Sequence, residues 1–207
     1  MAWTTLFTDA FTGANGTSLP THDATWSNLS GTGEIQSNAM ADGNSGSGSR
    51  SEVNLTTEDD QAVEAVLAEG GGATCYLFAR HTSTGSGLLD FSGYAAYLAG
   101  GTFIVFSRYD SGSETNLNFD GGGYSQGDVL RLECEGTTIR VLKNDVEVFS
   151  ETDATYSSGK CALATEATGG GWDDLVVEHV VVASGIPRLL RSSLLRGGAI
   201  IGGRLTG

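Results

Sequence analysis

Residues 127–163 read GDVLRLECEGTTIRVLKNDVEVFSETDATYSSGKCAL, and this stretch decides the fold. In RLECE, Leu132 and Cys134 fall on one side of an extended chain while Arg131, Glu133 and Glu135 fall on the other, the two-residue period of a half-buried strand. Ile139 and Val141 then alternate with Arg140 and Leu142. Asn144 and Asp145, residues that tolerate positive φ, turn the chain into Val146 and Val148. The pattern is a hairpin whose register is set by which side chains avoid water.

The same signal recurs outward in both directions. Strands are predicted near 4–8, 34–40, 51–55, 61–68, 73–80, 93–99, 102–109, 115–119, 128–135, 137–143, 145–150, 159–165 and 174–182. The segment 58–70, EDDQAVEAVLAEG, has helical composition, but Val63, Ala65 and Leu67 alternate, so it too is read as a strand. Glycine-rich loops at 42–49, 83–87, 120–123 and 168–171 separate these runs. With 207 residues, 31 glycines and two prolines, the chain suits one turn-rich all-β domain, residues 1–185, followed by a distinct tail, 186–207.

Charge divides the same way. The net charge is −14, yet residues 187–207 hold four arginines and no acid, leaving 7 basic and 25 acidic residues in 1–186, a charge of −18. A body of that sign repels nucleic acid and anionic membrane. No run approaches the roughly 18–20 apolar residues of a membrane span, and the N-terminal MAWTTLFTDAF leads straight into a strand without a secretory pattern, so synthesis in a cytosol is expected. Cys75, Cys134 and Cys161 are widely spaced, without a CxxC pair, and are expected to be buried free thiols.

Three segments carry a family resemblance: FTDAFTGANGTSLPTHDATW at 7–26, the stretch at 127–163, and GWDDLVVE at 171–178. In order and spacing they resemble the concanavalin A-like lectin/glucanase superfamily, its laminin G-like members in particular, across residues 3–182. The resemblance implies a jelly roll of two antiparallel sheets packed face to face, one usually concave. It brings Asp9 on the first strand near Asp173 and Asp174 on the last, where many relatives hold a structural calcium; no other cofactor is expected.

Hydrolases of this superfamily place their carboxylates on one strand in an ExDxxE pattern, which this chain lacks; the nearest approach is Glu151 and Asp153, with Tyr156 where a further acid would stand. His22, His81 and His179 lie apart, and GxSxG, HExxH and P-loop motifs are missing, so no catalytic residue is assigned and the protein is expected not to be an enzyme. Sugar binding is the open alternative. Tyr76, Arg80, Tyr94, Tyr97, Arg108 and Tyr109 lie on central strands suited to stacking and hydrogen-bonding a glycan, about half of them facing inward.

The tail, IPRLLRSSLLRGGAIIGGRLTG, alternates neither as a helix nor as a strand. Arg188, Leu189, Leu190, Arg191, Leu194, Leu195, Arg196, Ile200, Ile201 and Arg204 together form a cationic, apolar strip with no core of its own, suited to anchoring on a partner. A lectin-like body with such an anchor resembles bacteriophage structural proteins. The expected function is therefore a virion component, a capsid decoration or fibre or spike part, made in the host cytoplasm and located on the virion. Its expected partners are other virion proteins through the tail, glycans on the body and a second copy of the chain. A free non-catalytic carbohydrate-binding module is the alternative, and a glycoside hydrolase the least favoured reading.

Overall fold

The computed structural model describes residues 2–43, 48–56, 58–70, 73–100, 102–166 and 169–180. The ten tail positions named above lie outside the described residues. Strands β1 (Trp3–Asp9), β2 (Trp26–Ser30), β3 (Gly33–Gln36), β4 (Ala39–Asp42), β5 (Ser49–Val53), β6 (Gln61–Gly70), β7 (Cys75–Ser83) and β8 (Phe91–Ala99) make up the first half. One helical turn, α1 (Leu19–His22), interrupts them. Then come β9 (Phe103–Asp110), β10 (Ser113–Asp120), β11 (Val129–Glu135), β12 (Thr138–Lys143), β13 (Val146–Thr152), β14 (Lys160–Thr165) and β15 (Gly170–Val180).

These build two antiparallel sheets. One is eight-stranded, in the order β13-β12-β11-β6-β15-β4-β3 with β1 also paired to β15; the other is seven-stranded, β10-β9-β8-β7-β14-β5-β2. The all-β, two-sheet arrangement is as the alternation implies, and the jelly-roll sandwich as the resemblance implies. Leu132, Cys134, Ile139 and Val141 are fully buried between the sheets, and Asn144 and Asp145 turn the chain at φ 50° and 63°. From the other sheet Leu77, Ala79, Tyr94, Phe106 and Leu163 face them. Trp172 on β15 donates its indole N–H to the carbonyl of Ala164 on β14 at 3.3 Å, a bond from sheet to sheet. All three cysteines are buried and free.

The structure departs from expectation in three places. The strand expected at 34–40 is two, β3 and β4, because Ser37 and Asn38 take φ 52° and 60° and reverse the chain. β2 is additional: it is an edge strand whose polar WSNLS shows no alternation to read. β15 begins at Gly170, inside a segment read as loop. A β-carbon there would stand 2.8 Å from Cys75 Sγ, so the glycine belongs to a closely packed strand.

One buried side chain ties the sheets together at one end of the sandwich. Gln61 on β6 is 2% exposed and donates through Nε2 to the carbonyls of Glu58 (2.7 Å) and Gly159 (2.9 Å). Its Oε1 accepts the Arg80 backbone N–H at 3.1 Å and the Cys161 thiol at 3.1 Å. Arg80 sits in a bulge of β7 at φ 50°, and Gly159 lies so close that a β-carbon there would meet the Arg80 carbonyl carbon at 2.3 Å. Buried groups stripped of their hydrogen bonds cost about 1–3 kcal/mol each. Gln61→Leu, which keeps volume but leaves the buried Arg80 N–H without its acceptor, is expected to lower the unfolding free energy by roughly 1–3 kcal/mol. Urea denaturation at an unchanged slope checks this.

Candidate functional site: the outer face of the seven-stranded sheet

The two outer faces of the sandwich differ in chemistry. On the eight-stranded sheet, alternation puts charge outside: Arg131 bridges Glu64, Glu133 and Glu178 at 3.3, 2.7 and 2.7 Å and lies over the Trp3 ring, and Arg140 bridges Glu133 and Glu135. Such a lattice pairs its charges among themselves, with Glu133 at its buried centre. The seven-stranded sheet instead turns aromatic side chains outward from β7, β8 and β9, forming a second cluster separate from the core between the sheets: Tyr76, Phe78, Phe91 and Tyr109, with Tyr97 packed against them.

Register places these rings. Tyr76 and Tyr97 are direct cross-strand partners with centroids 4.7 Å apart, Phe78 stacks on Tyr76 at 5.6 Å, and Phe91 meets both Phe78 and Tyr109 at 4.6 Å. The track continues toward edge strand β10, where Phe119, opposite Val105, contacts Phe103 edge-on at 6.4 Å. Phe103 and Phe119 are 44% and 64% exposed, a costly display for rings that no core requires.

Two carboxylates border the open part. Tyr97 Oη donates to Glu114 Oε1 at 2.7 Å, joined there by Ser107 Oγ at 2.6 Å, and Tyr76 Oη donates to Glu166 Oε1 at 2.6 Å. Burial, then the adjacent glutamates, push the phenols of Tyr76 and Tyr97 well above the usual tyrosine range, so they stay protonated donors. The acids are therefore held as fixed acceptors beside an aromatic floor.

The other end is covered. Residues 84–90 form a tongue closed on itself, with Thr84 N–H donating to the Asp90 carbonyl at 2.9 Å and Gly87 N–H to Asp90 Oδ2 at 2.8 Å. Leu88 and Leu89 pack onto the aromatic cluster. Beneath lies Arg50 of β5, which donates to the Leu88 and Gly85 carbonyls and to Ser83 Oγ at 3.0–3.1 Å. His81 stacks on Phe91 at 5.2 Å and pairs through Nδ1 with Glu52 at 3.0 Å, whose other oxygen accepts from Lys160 at 2.8 Å. Burial lowers the His81 pKa against the pull of Glu52, keeping the ring neutral near pH 7.

The six residues expected to contact a glycan separate accordingly. Tyr76, Tyr97 and Tyr109 do lie on the outer face, although Tyr76 and Tyr109 are almost wholly covered and Tyr97 is half-buried. Tyr94 points the other way, into the core between the sheets, its hydroxyl donating to Asp153 Oδ1 at 2.8 Å. Arg108, paired with Tyr94 across β8 and β9, reaches the end of the sandwich, where it bridges Asp153 at 2.7 Å and Asp110 at 3.1 Å. Arg80 shares the alternation of Tyr76 and Phe78, but the bulge diverts it. Its guanidinium is spent on the carbonyls of Asp59 and Tyr156 and on Asp60, in a concavity of about 390 Å³ at the Gln61 end.

The bulge also turns His81 outward, which unbroken alternation would have buried, and so hid it from sequence reasoning. Arg50, Glu52, Glu114, Glu166, Phe103 and Phe119 escaped notice as well. The readable signal was SRSEV, where Arg50 and Glu52 alternate on one side of a strand otherwise rich in small residues. The nearest acid pair of the sequence reading is occupied elsewhere: Glu151 accepts from Asn118, and Asp153 from Tyr94 and Arg108.

β1 does lie against β15, with Asp9 opposite Leu175. Asp9 Oδ1 meets the Phe11 N–H at 2.7 Å and His22 Nε2 at 3.0 Å, while Oδ2 accepts the Trp26 indole N–H at 2.8 Å. Asp173 Oδ1 accepts the Asp174 N–H. Asp9 and Asp174 line one shallow concavity with Thr8 and Ala10, and among the described residues no group of three His, Cys, Asp or Glu side chains gathers there. The geometry gives Asp9 a structural task, fixing α1 and Trp26 against β1.

No protein-family model matches the chain, and no curated protein sequence matches it. Solved structures do. The carbohydrate-binding module CBM66 of Bacillus subtilis aligns at TM-score 0.58 and 19% identity over 75% of this chain and 92% of that one. A Bacillus subtilis protein of unknown function with a galectin-like fold aligns at 0.63 and 11%, over 87% and 99%. The β-glucanase of Bacillus licheniformis aligns at 0.53 and 11%, over 84% and 94%. The chain shares the two-sheet jelly-roll fold of these structures, and identities this low speak of the fold alone.

The Asp153 contacts give a pH signature. Burial raises its pKa, but hydrogen bonds from Thr155, Tyr94 and Arg108 outweigh that and hold the carboxyl at about 2, below the ordinary 3.8. A depressed pKa stabilises the fold above the unfolded value and loses that stabilisation as pH falls through the folded one. The stability gap between the natural chain and Asp153→Asn is therefore expected to be full above pH 4 and to shrink by about 2 kcal/mol as pH approaches 2. Urea melts at stepped pH measure it.

Proposed function

We propose that this protein is a glycan-binding, lectin-like module whose ligand lies on the outer face of the seven-stranded sheet. The carrying observation is the exposed aromatic track of Phe103, Phe119 and Tyr97, bordered by Glu114 and Glu166. Sugar rings present flat C–H faces to aromatic rings and hydroxyls to fixed carboxylate acceptors, and this face offers both. The likeness to a module named for carbohydrate binding supports the reading. We take the module to be non-catalytic; the engagement of Glu151 and Asp153 in structural hydrogen bonds supports that.

Attachment to a larger body is the second part of the reading. The split between a body of −18 and a tail of +4 supports a decoration or appendage protein of a virion, anchored by residues 186–207.

A glycan array probed with the full chain is expected to show a defined set of hits. Phe119→Ala and Tyr97→Ala should each weaken the strongest about tenfold by calorimetry, the loss of one stacking contact of roughly 1.4 kcal/mol. An array without hits would sink the proposal. Release of reducing ends from a bound polysaccharide, abolished by Glu114→Gln or Glu166→Gln, would make the protein a hydrolase instead. Deleting 186–207 should abolish co-sedimentation with the source particle while glycan binding stays intact.

A further inference from the structure

Beneath the tongue two side chains each leave a polar atom idle. Among the described residues, the buried side-chain atoms with no hydrogen-bond partner are Ser49 Oγ, Arg50 Nε and His81 Nε2. Arg50 is 0% exposed and His81 1%. Buried polar atoms are nearly always paired, so each of these calls for a partner that the protein itself does not supply.

Their chemistry is complementary. Glu52 takes the proton side of His81: a carboxylate only accepts, so Nδ1 carries the hydrogen and Nε2 is left with a free lone pair. Lys160, bonded to Glu52 and to Asn54, fixes that carboxylate in turn. Arg50 directs Nη1 and Nη2 to the tongue and to Ser83 and leaves its Nε–H as an unpaired donor. A cation would be repelled by Arg50, and an anion by the lone pair of Nε2 and the nearby carboxylate of Glu52. A hydroxyl group donates and accepts at once, and so suits either idle atom.

The roof is a self-contained loop. The tongue is closed internally through Asp90, joins the sheet at the Ser83–Phe91 rung of β7 and β8, and is tied down by Arg50, by Ser83 Oγ donating to the Gly85 carbonyl at 3.0 Å, and by the packing of Leu88 and Leu89. We propose that Arg50 and His81 form a gated subsite for the hydroxyls of a sugar or other polyol, which the 84–90 tongue covers and must lift to admit. This rests on the glycan reading of the same face, and adds that access to its buried end is controlled.

The test uses the full chain with ¹⁵N-labelled histidine, and as probes glycerol and the methyl glycosides of glucose, galactose, mannose and fructose. A variant with residues 85–89 replaced by two glycines is expected to bind one of these at least tenfold more tightly than the natural chain. The His81 Nε2 resonance should shift on titration. In that background His81→Asn, which keeps a donor toward Glu52 but removes Nε2, should return the affinity to the natural level or below. Should the shortened chain not fold, Leu88→Ser with Leu89→Ser, which removes only the apolar grip, takes its place with the same outcomes.

The subsite is overturned if opening the tongue leaves affinity unchanged, if His81 Nε2 does not respond at saturating probe, or if a crystal structure shows the two atoms joined by a buried water that the probes never displace. Array binding that Phe119→Ala weakens but His81→Asn leaves alone overturns the subsite and keeps the glycan face. No binding by any variant overturns both.

Discussion

The sandwich depends on one buried amide. Gln61 accepts an N–H from one sheet and donates to a carbonyl across the interior, so it occupies the one backbone donor that the bulge at Arg80 removes from its ladder. A bulge leaves a residue unpaired, and a buried unpaired N–H is tolerated only where a partner waits. With that partner in place, β7 can slip by one residue without penalty. The slip sends Arg80 to the end of the sandwich and His81 to the outer face. Packing inside the protein thereby determines which side chains its surface can offer.

The two outer faces show how one architecture supports opposite surfaces. On the eight-stranded sheet, Arg131 and Arg140, on the paired strands β11 and β12, meet glutamates of their own and nearby strands, each pair contributing little alone. On the seven-stranded sheet the same positions carry rings, and the chain spends a loop to cover half of them. Ala95, Ala162 and Ala164 matter here: their small side chains on the same face leave depth for the rings of Phe78, Phe91 and Tyr76 and for the tongue. An unusually buried outer face is the result.

Much of the fold was legible in the sequence because burial on one side writes a period of two. Leu132, Cys134, Ile139 and Val141 were assigned inward from alternation alone, and all are fully enclosed. The turn at Asn144 and Asp145 followed from residues that accept positive φ. The site was harder to read. Of the six candidate residues, about half of them expected to face inward, Tyr76, Tyr97 and Tyr109 lie outward, while Arg80 is diverted by a bulge, a non-local event that pairs its N–H with Gln61 nineteen residues earlier. Tyr94 and Arg108 fell to the opposite parity of their own strands. The tongue has no periodic signature, so neither its roofing of Arg50 nor the burial of Tyr76 and Tyr109 was available from composition.

The three buried thiols carry a consequence for the environments the protein can tolerate. Desolvation pushes Cys75 and Cys134 up to about 12 and Cys161 higher still, so the reactive thiolate is scarcely populated at neutral pH. Oxidants and mixed-disulfide exchange both require that anion. The same folded chain should therefore pass from a reducing compartment to an oxidising one, or back, with its covalent structure unaltered, a chemical indifference that the missing cross-links would otherwise have denied it.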